Sequence, residues 1–175
     1  MIVRALSFDV STKSTGWAFT FGQARGEFHY GLIKTNPKFE FAERLAFFRS
    51  EAIRLLEEFR PTHVVIEDVY SGSNPKVGML LAKFVGVLEE CCFSIAGVNP
   101  QILHTSKVKS YFKCRTKEQV FHMIVDIFDW NPKKVEFKKH NDITDAIAQL
   151  LYFYEIVLNA RVFREEKEYG YLYEV

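Results

Sequence analysis

The stretch that decides the fold runs from Ile2 to Phe21 and reads IVRALSFDVSTKSTGWAFTF. Both of its ends are rich in apolar, aromatic and β-branched residues, which favour β-strands. Residues 11–16 between them are mostly Ser and Thr and end in a glycine, which is typical of turns. The stretch therefore predicts two strands, over residues 2–10 and 15–21, joined by a tight polar turn.

This stretch carries a single acid, Asp9. Because side chains alternate along a strand, Leu6, Phe8 and Val10 are expected on one face. Ser7 and Asp9 are then expected on the other. An acid near the end of an apolar strand is unfavourable unless it is solvated, paired or bound to a metal. Taken alone, Asp9 is equally consistent with a hydrogen bond to the turn that follows it.

The composition is that of one ordinary globular domain: 175 residues, 48% of them hydrophobic and 26% charged. No apolar run approaches the roughly 20 residues that span a bilayer, and the N-terminus has no signal-peptide pattern. The three cysteines form no CxxC pair, which predicts reduced thiols in a cytosolic protein. Net charge is only +1, so any case for nucleic-acid binding has to come from local clusters.

The rest of the chain alternates between helical and strand patterns. Strands are predicted over residues 26–34, 62–67 and 98–103, and helices over residues 39–59, 76–95, 116–128 and 141–159. Hairpin links early in the chain imply antiparallel pairing, and later helical crossovers imply parallel pairing. The predicted fold is therefore α/β, with a mixed five-stranded sheet flanked by helices. We expect one domain over residues 1–160 and assign no role to the tail at 161–175.

The last predicted helix opens with two acids, Asp142 and Asp145, which lie three residues apart and so share one helix face. Acids in the first turn of a helix commonly cap free amides and complement the helix dipole. For this pair in isolation, capping is the favoured interpretation. A catalytic role for the pair depends on the other acids.

Four acids together are more informative than any one. If the first and fourth strands are parallel neighbours, Asp9 and Glu67 leave the sheet at the same edge, and a helix across the sheet brings Asp142 and Asp145 beside them. Carboxylates without matching buried bases repel one another unless divalent cations neutralise them. Oxygen ligands suit Mg²⁺ or Mn²⁺, and two such ions can clamp a phosphodiester. Asp68, on the opposite strand face, is predicted to be a surface acid.

Three motifs carry a family resemblance: FDVSTKSTGWAF at residues 8–19, VVIEDVY at 64–70 and HNDITDAIA at 140–148. They are similar to the first-strand acid, the second acid with an aromatic residue three positions later, and the C-terminal acid pair of one family. From Leu6 to about Tyr154 the chain resembles the RuvC Holliday junction resolvases, in the ribonuclease H-like superfamily.

The resemblance implies a ribonuclease H-like fold and an endonuclease that cuts four-way junctions. It implies that Asp9, Glu67, Asp142 and Asp145 bind two Mg²⁺ ions, with Mn²⁺ as a substitute. One ion would activate the attacking water and the other would stabilise the leaving 3′ oxygen, giving 5′-phosphate and 3′-hydroxyl nicks. A homodimer paired through the helix after the second acid is also implied, in a bacterial or phage-infected cytoplasm. His140 could assist as a ligand or base, but a loop histidine is more often simply solvated.

DNA contacts are predicted in the basic stretch HTSKVKSYFKCRTK, residues 104–117. Its cations are Lys107, Lys109, Lys113, Arg115 and Lys117, and a second cluster comprises Lys133, Lys134, Lys138 and Lys139. Either cluster alone is more typical of solvated surface. By the resemblance, Lys109 and Lys117 fall where the family has DNA-contacting lysines. Tyr70 falls where the family has an aromatic residue that stacks on junction bases, the alternative being an ordinary buried tyrosine.

Two departures from the family pattern leave the substrate range open. The family has a glycine-containing connection in the basic stretch, which is shortened here to residues 110–115. The hydroxyl-rich turn after Asp9 also differs from the glycine-bearing turn that is usual in the family. Three alternatives therefore stand beside a strict resolvase: a general debranching nuclease, a non-catalytic protein that binds branched DNA, and an actin-like or sugar-kinase-type phosphotransferase. The last requires two such domains, for which 175 residues are too few.

Overall fold

The computed structural model describes residues 2–22, 28–69 and 74–159. The strands are β1 (Arg4–Asp9), β2 (Ser14–Phe21), β3 (His29–Lys34), β4 (His63–Glu67) and β5 (Gln101–Leu103). The helices are α1 (Phe41–Phe59), α2 (Pro75–Ala96), α3 (Thr105–Tyr111), α4 (Lys117–Ile127) and α5 (Phe137–Tyr152), which continues as a π-helical turn over Phe153–Val157. The predicted tail and Tyr70 lie outside the described residues.

The strands form one mixed sheet in the order β3-β2-β1-β4-β5. The β1-β2 and β2-β3 pairs are antiparallel, whereas β1-β4 and β4-β5 are parallel. In the parallel register Phe8 pairs with Ile66, so that the following residues, Asp9 and Glu67, leave the sheet at the same edge. The predicted five-stranded sheet and the predicted meeting of these two acids are confirmed.

Each face of the sheet is buried by its own helices. Leu6, Phe8 and Val10 pack in one core with α1 and α2, as two-residue alternation predicts. The opposite face packs against α3, α4 and α5 in a second core. On that face, the Ser7 hydroxyl donates a hydrogen bond of 2.7 Å to the carbonyl oxygen of Ala146 and ties α5 to β1. Burying a side chain such as Phe8 stabilises the fold by about 1.5–3 kcal/mol.

Helix α5 begins four residues earlier than predicted, at Phe137 rather than Asn141. The ring Nδ1 of His140 accepts a hydrogen bond of 3.0 Å from the backbone N–H of Glu136 at the helix start. Asp142 and Asp145 therefore lie beyond the four N-terminal residues whose amides lack intrahelical partners. The capping interpretation of this acid pair is wrong, and so is the view of residues 137–140 as a loop.

The structure also adds one helix and shortens one strand relative to the prediction. The basic stretch contains a short helix, α3, which was not predicted because its seven residues are too few for a clear helical period. Strand β5 begins at Gln101 instead of Val98, because Pro100 has no N–H to donate to a strand neighbour. Neither difference changes where the four acids lie in the fold.

None of the described helices is long and apolar enough to cross a membrane. Cys91 and Cys92 are buried, Cys114 is half-buried, and all three are free thiols. Burial raises the pKa of Cys92 to about 12, which keeps that thiol protonated and unreactive at neutral pH. The predicted reduced thiols are thus consistent with the structure.

Candidate active site

A cleft of about 310 Å³ opens at the edge of the sheet where β1 and β4 end. Asp9 and Glu67 line it from the sheet, Asp142 lines it from α5, and Lys117 lines it from the start of α4. Asp145 lies behind this rim, next to Lys117. The structure therefore brings together all four acids that the sequence singled out.

Helix α5 can approach the cleft because β2 has a glycine where the two elements cross. Gly16 pairs with Asp9 in the β1-β2 register. A Cβ atom at Gly16 would lie 1.9 Å from the carbonyl oxygen of Asp142, well inside the van der Waals limit. Only glycine lets the backbone around Asp142 pack this closely on the sheet. Sequence reasoning assigned Gly16 to the turn and missed this role, which depends on a contact distant in sequence.

A lysine lies among the acids. The Lys117 ammonium is 2.7 Å from Oδ2 of Asp145 and 3.5 Å from Oδ2 of Asp9. The acids therefore do have a matching base, and the expectation that they lack one is wrong. Lys117 was predicted from sequence as a DNA contact, but in this structure its ammonium pairs with two of the candidate metal ligands.

The electrostatics of the cluster show an excess of negative charge. Burial, followed by the hydrogen bond and the charge of Glu67, holds the pKa of Asp9 well above its ordinary value. Burial and the charge of Asp9 raise the pKa of Asp145 to about 6, although Lys117 offsets part of the shift. Burial lowers the pKa of Lys117, but Asp9 and Asp145 outweigh burial and raise it.

The donor set fits divalent cations. Four carboxylates and one ammonium leave a formal charge of −3 when all are ionised. Asp9 and Asp145 are only 4% and 7% exposed, so water screens this charge poorly. Within the described residues, no three His, Cys, Asp or Glu side chains already stand in a metal-holding arrangement. The Lys117 ammonium supplies positive charge where a bound cation would supply it, and its side chain is 43% exposed.

Two residues at the start of α3 hold the end of β4. The Thr105 hydroxyl donates a hydrogen bond to Oε1 of Glu67. Nδ1 of His104 lies 2.7 Å from Oδ2 of Asp68. Asp68 is partly exposed, as predicted for a surface acid, but it also lines the cleft. Nothing in the sequence pattern indicated Thr105 or the cleft position of Asp68.

The other candidate residues lie around this cleft or outside the described chain. Buried Val108 and Phe112 anchor the basic stretch to the core. Within that stretch the exposed cations are Lys107, Lys113 and Arg115, and Lys109 is half-buried. His140 stands at the start of α5 and is not among the residues that line the cleft. The structure therefore gives His140 a local structural contact.

Residues 6–152 match the family model for the crossover junction endodeoxyribonuclease RuvC. The chain belongs to the RuvC family. The RuvC of Ehrlichia canis (strain Jake) is 32% identical over 128 residues, which cover 69% of this chain and 76% of that protein. The RuvC of Synechocystis sp. (strain ATCC 27184 / PCC 6803 / Kazusa) is 27% identical over 150 residues, covering 83% and 87%. Membership of a nuclease family sets aside the phosphotransferase alternative.

Solved structures of Holliday junction resolvases share the fold. Thermus thermophilus RuvC in complex with a Holliday junction substrate superposes with a TM-score of 0.72 at 20% identity, covering 91% of this chain and 98% of that one. The yeast mitochondrial Holliday junction resolvase superposes with a TM-score of 0.58 at 18% identity, covering 84% and 75%. The predicted ribonuclease H-like fold is confirmed. RuvC enzymes are metal-dependent nucleases, in agreement with the acidic cleft.

Proposed function

We propose that this chain is a metal-dependent, structure-selective endonuclease that resolves four-way DNA junctions by paired nicks with 5′-phosphate and 3′-hydroxyl ends. One observation carries the proposal: in a chain of the RuvC family, Asp9, Glu67, Asp142 and Asp145 meet around a single cleft. We assign the activity to a domain over residues 1–160. Since the similar RuvC proteins of Ehrlichia canis and Synechocystis are bacterial, the proposed place of action is the bacterial or phage-infected cytoplasm.

The four acids are the proposed ligands of two Mg²⁺ ions, and Mn²⁺ has the same preference for oxygen donors. When bound, such ions supply Lewis-acid stabilisation of the phosphodiester and a more acidic water. The protein contributes rigidity, because Asp9 and Glu67 are fixed by adjacent parallel strands and Asp142 by the contact at Gly16. Lys117, once released from Asp145, has its ammonium at the cleft, where it can pair with a phosphate.

DNA is proposed to run from the cleft across α3 and the start of α4. Lys107, Lys113 and Arg115 are exposed there, and Lys109 and Lys117 lie nearer the acids. Phosphate contacts of this kind position the substrate and make binding weaken with salt. Tyr70, which precedes the start of α2, is proposed to stack on a junction base.

A homodimer is proposed to form through the outer face of α2. Met79, Gly86 and Phe93 are spaced seven residues apart on one exposed stripe, and the two larger side chains are 67% and 65% exposed. Gly86 has nothing within 4 Å of a Cβ position, although glycine inside a helix costs about 1 kcal/mol relative to alanine. A second copy of α2 packed closely here accounts for both features and supplies the second active site that paired nicks require.

We expect Phe93→Asp to convert the dimer into a monomer, because it places a charge in the apolar contact. Phe39→Asp is the matched control, since Phe39 is 58% exposed and lies before α1, outside the exposed stripe of α2. Sedimentation velocity of each purified variant gives the mass. A wild-type chain that sediments as a monomer at the concentrations that cut junctions contradicts the dimer proposal.

The proposed activity is tested by cleavage of an end-labelled four-way junction, with Mg²⁺ or EDTA, beside a plain duplex and a replication fork. Paired symmetric nicks in the junction alone, only with metal, are the expected result. Equal cutting of junction and fork would identify a general debranching nuclease. Binding to the junction without cutting in Mg²⁺ or Mn²⁺ would identify a non-catalytic DNA-binding protein and overturn the proposal.

A further inference from the structure

The end of β4 is clamped to the start of α3 by consecutive residues. Thr105 bonds Glu67, and its neighbour His104 pairs with the next acid, Asp68. Between these contacts, the backbone N–H of Asp68 donates a hydrogen bond of 2.9 Å to the carbonyl oxygen of Leu103. The β4-β5 ladder thus continues beyond the strands as two side-chain contacts.

The hydroxyl of Thr105 is not used to cap its own helix. His104 is the N-cap residue of α3, and no side-chain cap bond forms there. The bond to Glu67 spans 38 positions in sequence and links the basic helix to the cleft. The same Glu67 carboxylate faces the buried Asp9, and its charge helps to raise the pKa of Asp9. Glu67 therefore has a neutral hydrogen-bond donor on α3 and a repelling carboxyl group on β1.

Glu67 needs such support more than the other acids do. It has a longer side chain than an aspartate, and so loses more rotamer freedom when its carboxylate is fixed. It is also only half-buried, as Asp142 is, whereas Asp9 and Asp145 are buried. Groups that hydrogen-bond to metal ligands orient those ligands and typically change metal affinity by about 10–100-fold.

We propose that Thr105 is a positioning residue: its hydroxyl orients the Glu67 carboxylate toward the divalent ions of the cleft. This inference rests on the proposed function, since it assigns Glu67 to the metal site. The residue acts through Glu67, because its hydroxyl donates to that carboxylate and it is not among the residues that line the cleft. Removal of its hydroxyl therefore weakens metal binding without unfolding the chain.

The test is calorimetric titration of the purified full-length chain with Mn²⁺ alone, together with melting curves in EDTA. Thr105→Val keeps the branched shape but removes the donor, and Thr105→Ser keeps the donor. We expect Thr105→Val to weaken Mn²⁺ binding by about 10-fold or more, and Thr105→Ser to bind within about 3-fold of wild type. Ser106→Ala, at the exposed next position of α3, is the control and should bind as wild type.

Two outcomes overturn the inference: Thr105→Val binds Mn²⁺ as tightly as wild type, or Thr105→Ser is as weak as Thr105→Val. Should Thr105→Val not fold, Thr105→Ala replaces it, with the same expectations. Failure of the proposed function itself looks different, because the wild-type chain would then neither bind Mn²⁺ nor cut a junction. If every variant binds Mn²⁺ and cuts junctions as the wild type does, only the proposed role of Thr105 is wrong and the proposed function stands.

Discussion

Asp9→Asn is expected to abolish junction cleavage, with a loss of about a thousandfold or more. Asp9 lies at the centre of the cluster, in contact with Glu67 and Lys117 and close to Asp142 and Asp145. The proposed metal ions provide several kcal/mol of transition-state stabilisation, and each 1.36 kcal/mol is tenfold in rate. An amide has a similar shape but no charge, so the ions lose a central ligand.

The same substitution is expected to make the metal-free protein more stable. Burial and Glu67 raise the pKa of Asp9 in the folded chain, so the folded state binds protons more readily than the unfolded state. The contribution of Asp9 to folding stability therefore falls as the pH rises above 3.8, the ordinary pKa of an aspartate. Asn at this position removes that penalty. The gain should be largest at neutral pH and should disappear near pH 4.

Melting curves in EDTA at several pH values, beside single-turnover cleavage in Mg²⁺, measure both effects. A gain of 1 kcal/mol corresponds to a rise in Tm of about 2–4 °C at this chain length. Added Mg²⁺ should raise the Tm of the wild type but leave that of Asp9→Asn nearly unchanged. Asp126→Asn, on the exposed surface of α4, is the matched control. Retained cleavage by Asp9→Asn would show that the cluster is not the metal site.

The parts of the site that were predictable from sequence depend on the short repeat of side-chain directions along a strand or a helix. Two-residue alternation on β1 separated Asp9 from Leu6 and Phe8, and strand order then placed Glu67 at the same edge. The spacing of Asp142 and Asp145 gave their shared helix face even though the start of α5 was misplaced. These features survive small boundary errors because they depend on spacing alone.

The parts that were missed depend on contacts between distant positions. Lys117 was visible as a cation, but its ion pairs with Asp9 and Asp145 require α4 to pack against α5. Thr105 likewise resembles any helix-opening threonine until β5 brings it beside Glu67. No local pattern in the chain encodes these distances, since they are fixed by how whole elements pack.

Gly16→Ala is expected to damage both stability and cleavage. Its Cβ would lie 1.9 Å from the carbonyl oxygen of Asp142, 2.2 Å from the carbonyl carbon and 2.9 Å from the N–H nitrogen of Ile143. These are backbone atoms of α5, which cannot rotate away as a side chain can. Overpacking of this kind costs about 1–3 kcal/mol or more. Displacing Asp142 by about 1 Å is expected to lower the cleavage rate by about a hundredfold.

Gly31→Ala separates the two effects, because the same change on the neighbouring strand β3 meets only a side chain. Its Cβ would lie 2.8 Å from the ring of Trp17, which is the β2 residue that pairs with Gly31. We expect Gly31→Ala to lower the Tm while Mg²⁺-dependent cleavage at a permissive temperature stays near wild type. Gly16→Ala should lose cleavage even where circular dichroism shows it folded. Equal cleavage by the two variants would mean that the close contact at Gly16 serves folding alone and does not position Asp142.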